Sequence, residues 1–207
     1  MSKTTKFFIL SPARTTGKRA ALILNPHSQL SLAKQLRTAA GVPLSDVFSF
    51  CSSLYFRGKA TYAERFAAPP EGLANAYVIT SSNGLVASQL KITATTVERF
   101  AGVPIDPAED RYRLPLLESA RDLQKRLGGS AQIILLGSIA TRKYVEPLVE
   151  CFGDQLLFPT DFIGRGDMSR GGLLLRAAAA NQELAYQRLS TTLMRTGKRP
   201  PKLGPAS

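Results

Sequence analysis

The stretch Phe162-Ile163-Gly164-Arg165-Gly166-Asp167-Met168-Ser169-Arg170-Gly171-Gly172 gathers four glycines, two arginines, an aspartate and a serine just ahead of a helix-like run at 173–178. Glycine lets backbone N–H groups come close to a ligand, and a helix start offers unpaired N–H donors with partial positive charge. Arg165 and Arg170 add full cations, so the segment suits a phosphate or another anion. A glycine-rich turn capped by Asp167 or Ser169, with solvated arginines, satisfies the same residues. Asp161 and Asp167 flank the loop and could serve as a general base or hold a water, or act as two ordinary caps.

Three more segments carry candidate chemistry. The run 132–144, Gln-Ile-Ile-Leu-Leu-Gly-Ser-Ile-Ala-Thr-Arg-Lys-Tyr, reads as a buried strand, a glycine turn and a helix start. Ligands in open α/β sheets bind at the carboxyl ends of strands, near such turns. Ser138 or Thr141 would cap the helix there, while Arg142 and Lys143 face an anion. Ser53-Leu54-Tyr55-Phe56-Arg57-Gly58-Lys59 mixes aromatics with cations, the usual grammar of single-strand or flipped-base binding. Tyr55 is the candidate for stacking a base, and Phe56 reads better as core. Ser11-Pro12-Ala13-Arg14-Thr15-Thr16-Gly17-Lys18 hints at a phosphate loop, but it lacks the upstream glycine of a nucleoside-triphosphatase motif. His27, the sole histidine, reads as a surface residue in a turn.

Charge is the dominant global property. The 207 residues carry a formal net charge of +12. Residues 1–45 hold seven cations (Lys3, Lys6, Arg14, Lys18, Arg19, Lys34 and Arg37) and no acid, and residues 187–207 are also acid-free. Such asymmetry favours a polyanionic partner. Nucleic acid is the expected one, DNA ahead of RNA, with ribosomal RNA or an acidic protein docking on the tail at 196–207 as a further reading. No apolar run approaches the roughly 20 residues that span a bilayer, so no membrane association is expected. The start of the chain is too short in apolar residues for a signal peptide and reads better as a first buried strand than as a transit peptide. Cys51 and Cys151 are expected as two buried thiols of a cytoplasmic protein. With one histidine there is little material for a zinc site, and neither metal nor cofactor is expected.

The elements that must position these residues follow from periodicity. Short apolar runs at 7–10, 20–24, 77–80, 132–136 and 156–158 read as buried strands. Helical patterns occupy 30–39, 58–67, 114–127, 139–152 and 173–186. Alternation of the two predicts an α/β domain over residues 1–190, with a mostly parallel central sheet flanked by helices. Residues 191–207 are too rich in Pro, Gly and charge to pack, which predicts a basic, disordered tail.

Three of these segments resemble the peroxide stress protein YaaA family. Its Ser-Pro-Ala-Lys-Thr motif is similar to Ser11-Pro12-Ala13-Arg14-Thr15, with arginine for lysine. Its Ser-Gly-Leu-Tyr-Gly stretch resembles Ser52-Ser53-Leu54-Tyr55, with Phe56 for the last glycine. Its Ala-Arg-Gly-x-Met-Ser-Arg motif resembles Gly164–Arg170, Asp167 taking the variable position. The order along the chain is the same, and the resemblance is confined to these patches. It implies a mixed α/β fold with a positively charged cleft that binds DNA in a stress or DNA-damage response. The family's helix-hairpin-helix-like element has no counterpart in this sequence. Leu135-Leu136-Gly137-Ser138-Ile139-Ala140 also resembles a step of uracil-DNA-glycosylase-like folds, which implies activity on a nucleobase.

The resulting expectation is a DNA-binding cleft. Ser11, Arg14, Lys18, Tyr55, Arg57, Lys59, Arg142, Lys143, Arg165, Ser169 and Arg170 form its phosphate and base contacts. The alternative is an enzyme acting on a nucleobase, nucleoside or nucleotide. There Asp167 or Asp161 orients water, and Ser138 or Ser11 holds the substrate.

Overall fold

Phe7, Phe8, Ile9 and Leu10 are all completely buried, which requires cover on both faces, as for a central strand of a parallel sheet. They form β1 (Lys6–Leu10) in a computed structural model that describes residues 5–127, 131–139 and 142–189. The predicted tail at 191–207, the helix end at Gly128-Gly129 and the cap Thr141 lie outside the described residues. After β1 come α1 (Lys18–Leu24), α2 (Ser31–Leu36), β2 (Val42–Pro43), α3 (Leu44–Phe66), β3 (Ala76–Ile79) and β4 (Leu85–Ala87). Then follow β5 (Lys91–Ile92), α4 (Ala94–Ala101), α5 (Asp110–Leu127), β6 (Gln132–Leu136) and α6 (Arg142–Phe152). The last elements are β7 (Leu156–Pro159), α7 (Asp167–Ala179) and β8 (Tyr186–Arg188).

The main sheet has six strands in the order β4-β3-β1-β6-β7-β8. β3, β1, β6 and β7 run parallel, with antiparallel β4 and β8 at the edges. This is the predicted α/β class. The chain leaves β1 through α1 to α3 and returns as β3 on one side. After α4 and α5 it enters β6 on the other side of β1. The connections that follow β1 and β6 therefore diverge, and they open a crevice at the carboxyl ends of those two strands.

Several local expectations are corrected. Residues 20–24 form helix α1 rather than a strand: Ala20 and Ile23 face inward while Leu22 is 53% exposed. That is a three-residue period, and a run of five apolar residues does not separate it from a strand. The helix predicted at 58–67 is the second half of α3, which already begins at Leu44. It is interrupted at Ser53, where φ is 50° and ψ is −123°, a conformation that costs a non-glycine residue about 1–3 kcal/mol. The break deprives the Phe50 carbonyl of its helical donor, and the Arg19 guanidinium donates to it instead at 3.3 Å. The helix predicted at 173–186 starts earlier, at Asp167, and stops at Ala179, so Tyr186 belongs to a strand. β2, β4, β5 and α4 fall outside the elements predicted from periodicity. Both cysteines are half-buried rather than buried, and desolvation pushes the Cys51 thiol up to about 11.

α3 and α7 cross at a pair of glycines. A Cβ at Gly171 would lie 2.8 Å from the Tyr55 Cα, and one at Gly58 would lie 2.7 Å from the Gly171 carbonyl oxygen. No side chain fits between these backbones. The contact sets the Tyr55–Lys59 turn of α3 against the first turn of α7.

Candidate functional site

Topology places three of the predicted basic segments on the carboxyl edge of the sheet. Arg14 and Lys18 follow β1, Arg142 and Lys143 follow β6, and Arg165 and Arg170 follow β7. A cleft of about 490 Å³ opens there, lined among others by Pro12, Arg14, Thr16, Ser81, Asp106 and Lys143. Arg14 is exposed, and its Nε donates to the Thr16 hydroxyl at 3.3 Å. Lys18, Arg57 and Arg142 are exposed too. Arg142 is paired with Glu146 one helical turn on, at 2.9 Å.

Beside this cleft lies a buried polar cluster. Ser11, the first residue beyond β1, is 5% exposed. Lys59 reaches it from α3, with Nζ 2.6 Å from the Ser11 carbonyl oxygen and 2.9 Å from its hydroxyl oxygen. Lys59 is completely buried. Its Nζ sits 4.5 Å from the Tyr55 ring centre and 4.7 Å from that of Phe56. Burial pulls its ammonium down to about 7, with Asp167 opposing and Arg170 adding to the fall. Lys59, expected as a phosphate contact in the cleft, is therefore an interior amine. Burial penalises its charged form more than the one nearby carboxylate restores it.

Tyr55 is 5% exposed. Its ring face is occupied by Lys59, which corrects the expectation that it stacks a base. Its hydroxyl is what remains for a ligand. That hydroxyl makes no well-aligned hydrogen bond among the described residues, and the Arg170 guanidinium is the donor close enough to act on it. Burial raises its pKa well above the ordinary range, with Arg170 opposing. An unpaired buried hydroxyl costs about 1–3 kcal/mol, so the atom is placed at the expense of stability.

The first turn of α7 completes the cluster. No side chain caps the helix, whose N-cap is Gly166. Arg170 is almost fully buried. Its Nε and Nη2 donate to the Phe162 carbonyl at 3.3 and 3.1 Å, and its Nη1 lies 3.4 Å from the Asp167 carboxylate. Arg165 donates through Nε to the Asp161 carbonyl at 2.8 Å and through Nη1 to the Ser169 hydroxyl at 3.5 Å. Two guanidinium groups thus lie over a helix N-terminus that attracts negative charge. The exposed Asp167 carboxylate lies near enough to act on Lys59, Tyr55 and Tyr144. Asp161 turns elsewhere, acting on Tyr62.

Tyr144 is the residue that sequence reading missed. Its hydroxyl accepts a hydrogen bond from the Ser138 N–H at 3.1 Å, and the Ser11 hydroxyl is its other polar neighbour. Burial raises its pKa against both. It joins the turn after β6 to the turn after β1. The signal available was its place in the first turns of the helix that follows the Gly137-Ser138 turn. Ser138 contributes its backbone N–H to this link, and its side chain is half-buried.

Ser11, Tyr55, Lys59, Asp167 and Arg170 are thus brought into one cluster, with Arg165 and Ser169 at its rim and Arg14 and Lys143 at the neighbouring cleft. Lys18, Arg57 and Arg142 are exposed and stand apart from it, and Asp161 meets its rim through the hydrogen bond that its carbonyl accepts from Arg165. His27 is exposed, as expected. Among the described residues no group of three or more His, Cys, Asp or Glu could hold a metal ion. No described helix is long and apolar enough to cross a membrane. No protein-family model matches the chain, and neither a curated protein nor a solved structure shows significant similarity to it.

Proposed function

We propose that this protein binds nucleic acid, DNA in the first place, and takes one nucleotide unit into the crevice at the carboxyl ends of β1 and β6. The observation that carries this reading is the first turn of α7. Arg165 and Arg170 overlie an uncapped helix start there, next to a Tyr55 hydroxyl that makes no well-aligned hydrogen bond. A phosphate group, with several acceptor oxygens, is the kind of ligand that such donors would share. The exposed cations around the cleft (Arg14, Lys18, Arg142) extend the positive edge along which a strand would lie. The net charge of +12 agrees with a polyanionic partner, as does the resemblance of three segments to the YaaA family.

Fluorescence anisotropy with labelled single-stranded DNA, duplex DNA and RNA tests the reading. Affinity should fall steeply with rising salt, and Arg165→Glu should weaken binding at least tenfold. Binding that ignores both salt and Arg165→Glu would show that the crevice is not the contact.

A second reading is favoured by a separate observation. The Ser11–Lys59 pair, with Asp167 nearby, is more than binding requires, and it supports an enzyme acting on a nucleobase, nucleoside or nucleotide. Incubation with modified oligonucleotides, followed by analysis for released base or cleaved strand, tests it. Activity lost in Asp167→Asn with DNA binding retained would separate chemistry from binding.

A further inference from the structure

We propose that the Ser11 hydroxyl is a nucleophile toward a phosphoryl centre and that Lys59 is the general base that receives its proton. The proposal rests on the nucleotide reading of the same crevice and names the chemistry done there. Three observations of geometry carry it. Lys59 Nζ is held 2.6 Å from the Ser11 carbonyl oxygen, which commits one N–H and fixes the direction of the amine. The Ser11 hydroxyl then stands 2.9 Å away, within reach of proton transfer to the amine lone pair. The Tyr55 and Phe56 rings pack against the nitrogen at 4.5 and 4.7 Å and hold it out of bulk solvent.

The groups facing the amine are Tyr55 and Phe56 from α3, Ser11 beyond β1, and Asp167 and Arg170 from α7. Burial outweighs the charges among them and brings the amine down to about 7, so it is substantially unprotonated near neutral pH. A serine hydroxyl needs such an adjacent base to become a useful nucleophile, and serine–lysine pairs are one known solution.

The step balances without a metal or a co-reactant. Ser11 Oγ bonds to phosphorus as the bond from phosphorus to the leaving oxygen breaks. The serine proton passes to Lys59 Nζ and from there to the leaving oxygen. Water then attacks the phosphoserine, its proton passing to Lys59 Nζ and from there to Ser11 Oγ as the bond from Oγ to phosphorus breaks, which restores both residues. Arg170, whose charge reaches both Lys59 and Tyr144, is the cation nearest to this step and would stabilise charge developing on the phosphoryl oxygens.

A dialkyl phosphorofluoridate tests this on the full chain with no nucleic acid present. Ser11 Oγ would bond to phosphorus, fluoride would leave, and Lys59 would release the proton to solvent. Peptide mass spectrometry should find the adduct on Ser11. Its rate should rise through about pH 7 and level off above it, as Lys59 loses its proton. Lys59→Met should slow labelling by about 100-fold or more, and Ser11→Ala should abolish it. Absence of an adduct at Ser11 in the wild-type protein overturns the proposal. A rate that keeps rising tenfold per pH unit past pH 9, or labelling of Lys59→Met at the wild-type rate, overturns the role of Lys59. The wild-type profile decides by itself if the variant does not fold. A labelled Ser11 in a protein that binds no DNA would remove the nucleic-acid reading and keep the nucleophile. DNA binding without labelling would do the reverse.

Discussion

Lys59 Nζ contacts both the carbonyl and the hydroxyl oxygen of Ser11, at 2.6 and 2.9 Å, across 48 residues of sequence. One side chain thus ties the middle of α3 to the first residue beyond the central strand. It also places an amine beside a hydroxyl in the buried interior next to the cleft. The fold, the electrostatics and the chemistry of the crevice meet at this contact.

Stability should depend on pH through Lys59. In the folded protein the amine loses its proton near pH 7, whereas the unfolded chain keeps it until the ordinary value of 10.5. Above pH 7 the unfolded state therefore binds the extra proton, and stability rises with pH, by up to about 1.4 kcal/mol per unit. Cys51 acts in the opposite direction, but only above its ordinary value of 9.0. Denaturant unfolding between pH 7 and 9 should show the rise in the wild-type protein and lose it in Lys59→Met. Parallel profiles would place the charge change elsewhere.

Tyr55→Phe should make the empty protein more stable and the liganded protein less so. Removing a buried hydroxyl that makes no well-aligned hydrogen bond relieves about 1–3 kcal/mol of desolvation cost. The same change removes a donor to a bound phosphate. Thermal melts should show a higher Tm without ligand and a smaller gain from a nucleoside 5′-monophosphate. An equal gain in both proteins would take Tyr55 out of the site.

The glycine crossing of α3 on α7 should resist enlargement. Gly171→Ala puts a Cβ 2.8 Å from the Tyr55 Cα, against backbone that cannot rotate away. A cost of about 1–3 kcal/mol is expected, read as a lower midpoint in urea. Because Tyr55 and Arg170 flank the contact, ligand affinity should fall with it. A fully stable variant would mean that the two helices separate easily.

Much of the frame was legible in the sequence. The runs at 7–10 and 133–136 are unbroken apolar stretches because both faces of the parallel sheet are covered. The turns that follow them locate the carboxyl edge. Other parts were hidden for identifiable reasons. The five apolar residues at 20–24 are too few to distinguish a helical from an extended period. Gly171-Gly172 reads as part of a loop, yet both lie inside α7, and at Gly171 α3 approaches too closely for a side chain. The break at Ser53 disguised one long helix as a loop followed by a short one. The mix of aromatics and cations at 53–59 reads Lys59 as a phosphate contact in the cleft. Its neighbours at helical spacing (Tyr55, Phe56, Tyr62 and Ala63) are all buried, and that face was the available sign that the lysine is interior.

The central claim is that a nucleotide unit enters the crevice between the turns after β1 and β6. The most direct test is photocrosslinking with oligonucleotides that carry 5-iodouracil, followed by mapping of the crosslinked peptides. Crosslinks should fall within residues 11–19, 53–59, 138–144 or 162–172, and an excess of unlabelled nucleoside monophosphate should suppress them. Crosslinks confined to residues 190–207, or untouched by the competitor, would contradict the account.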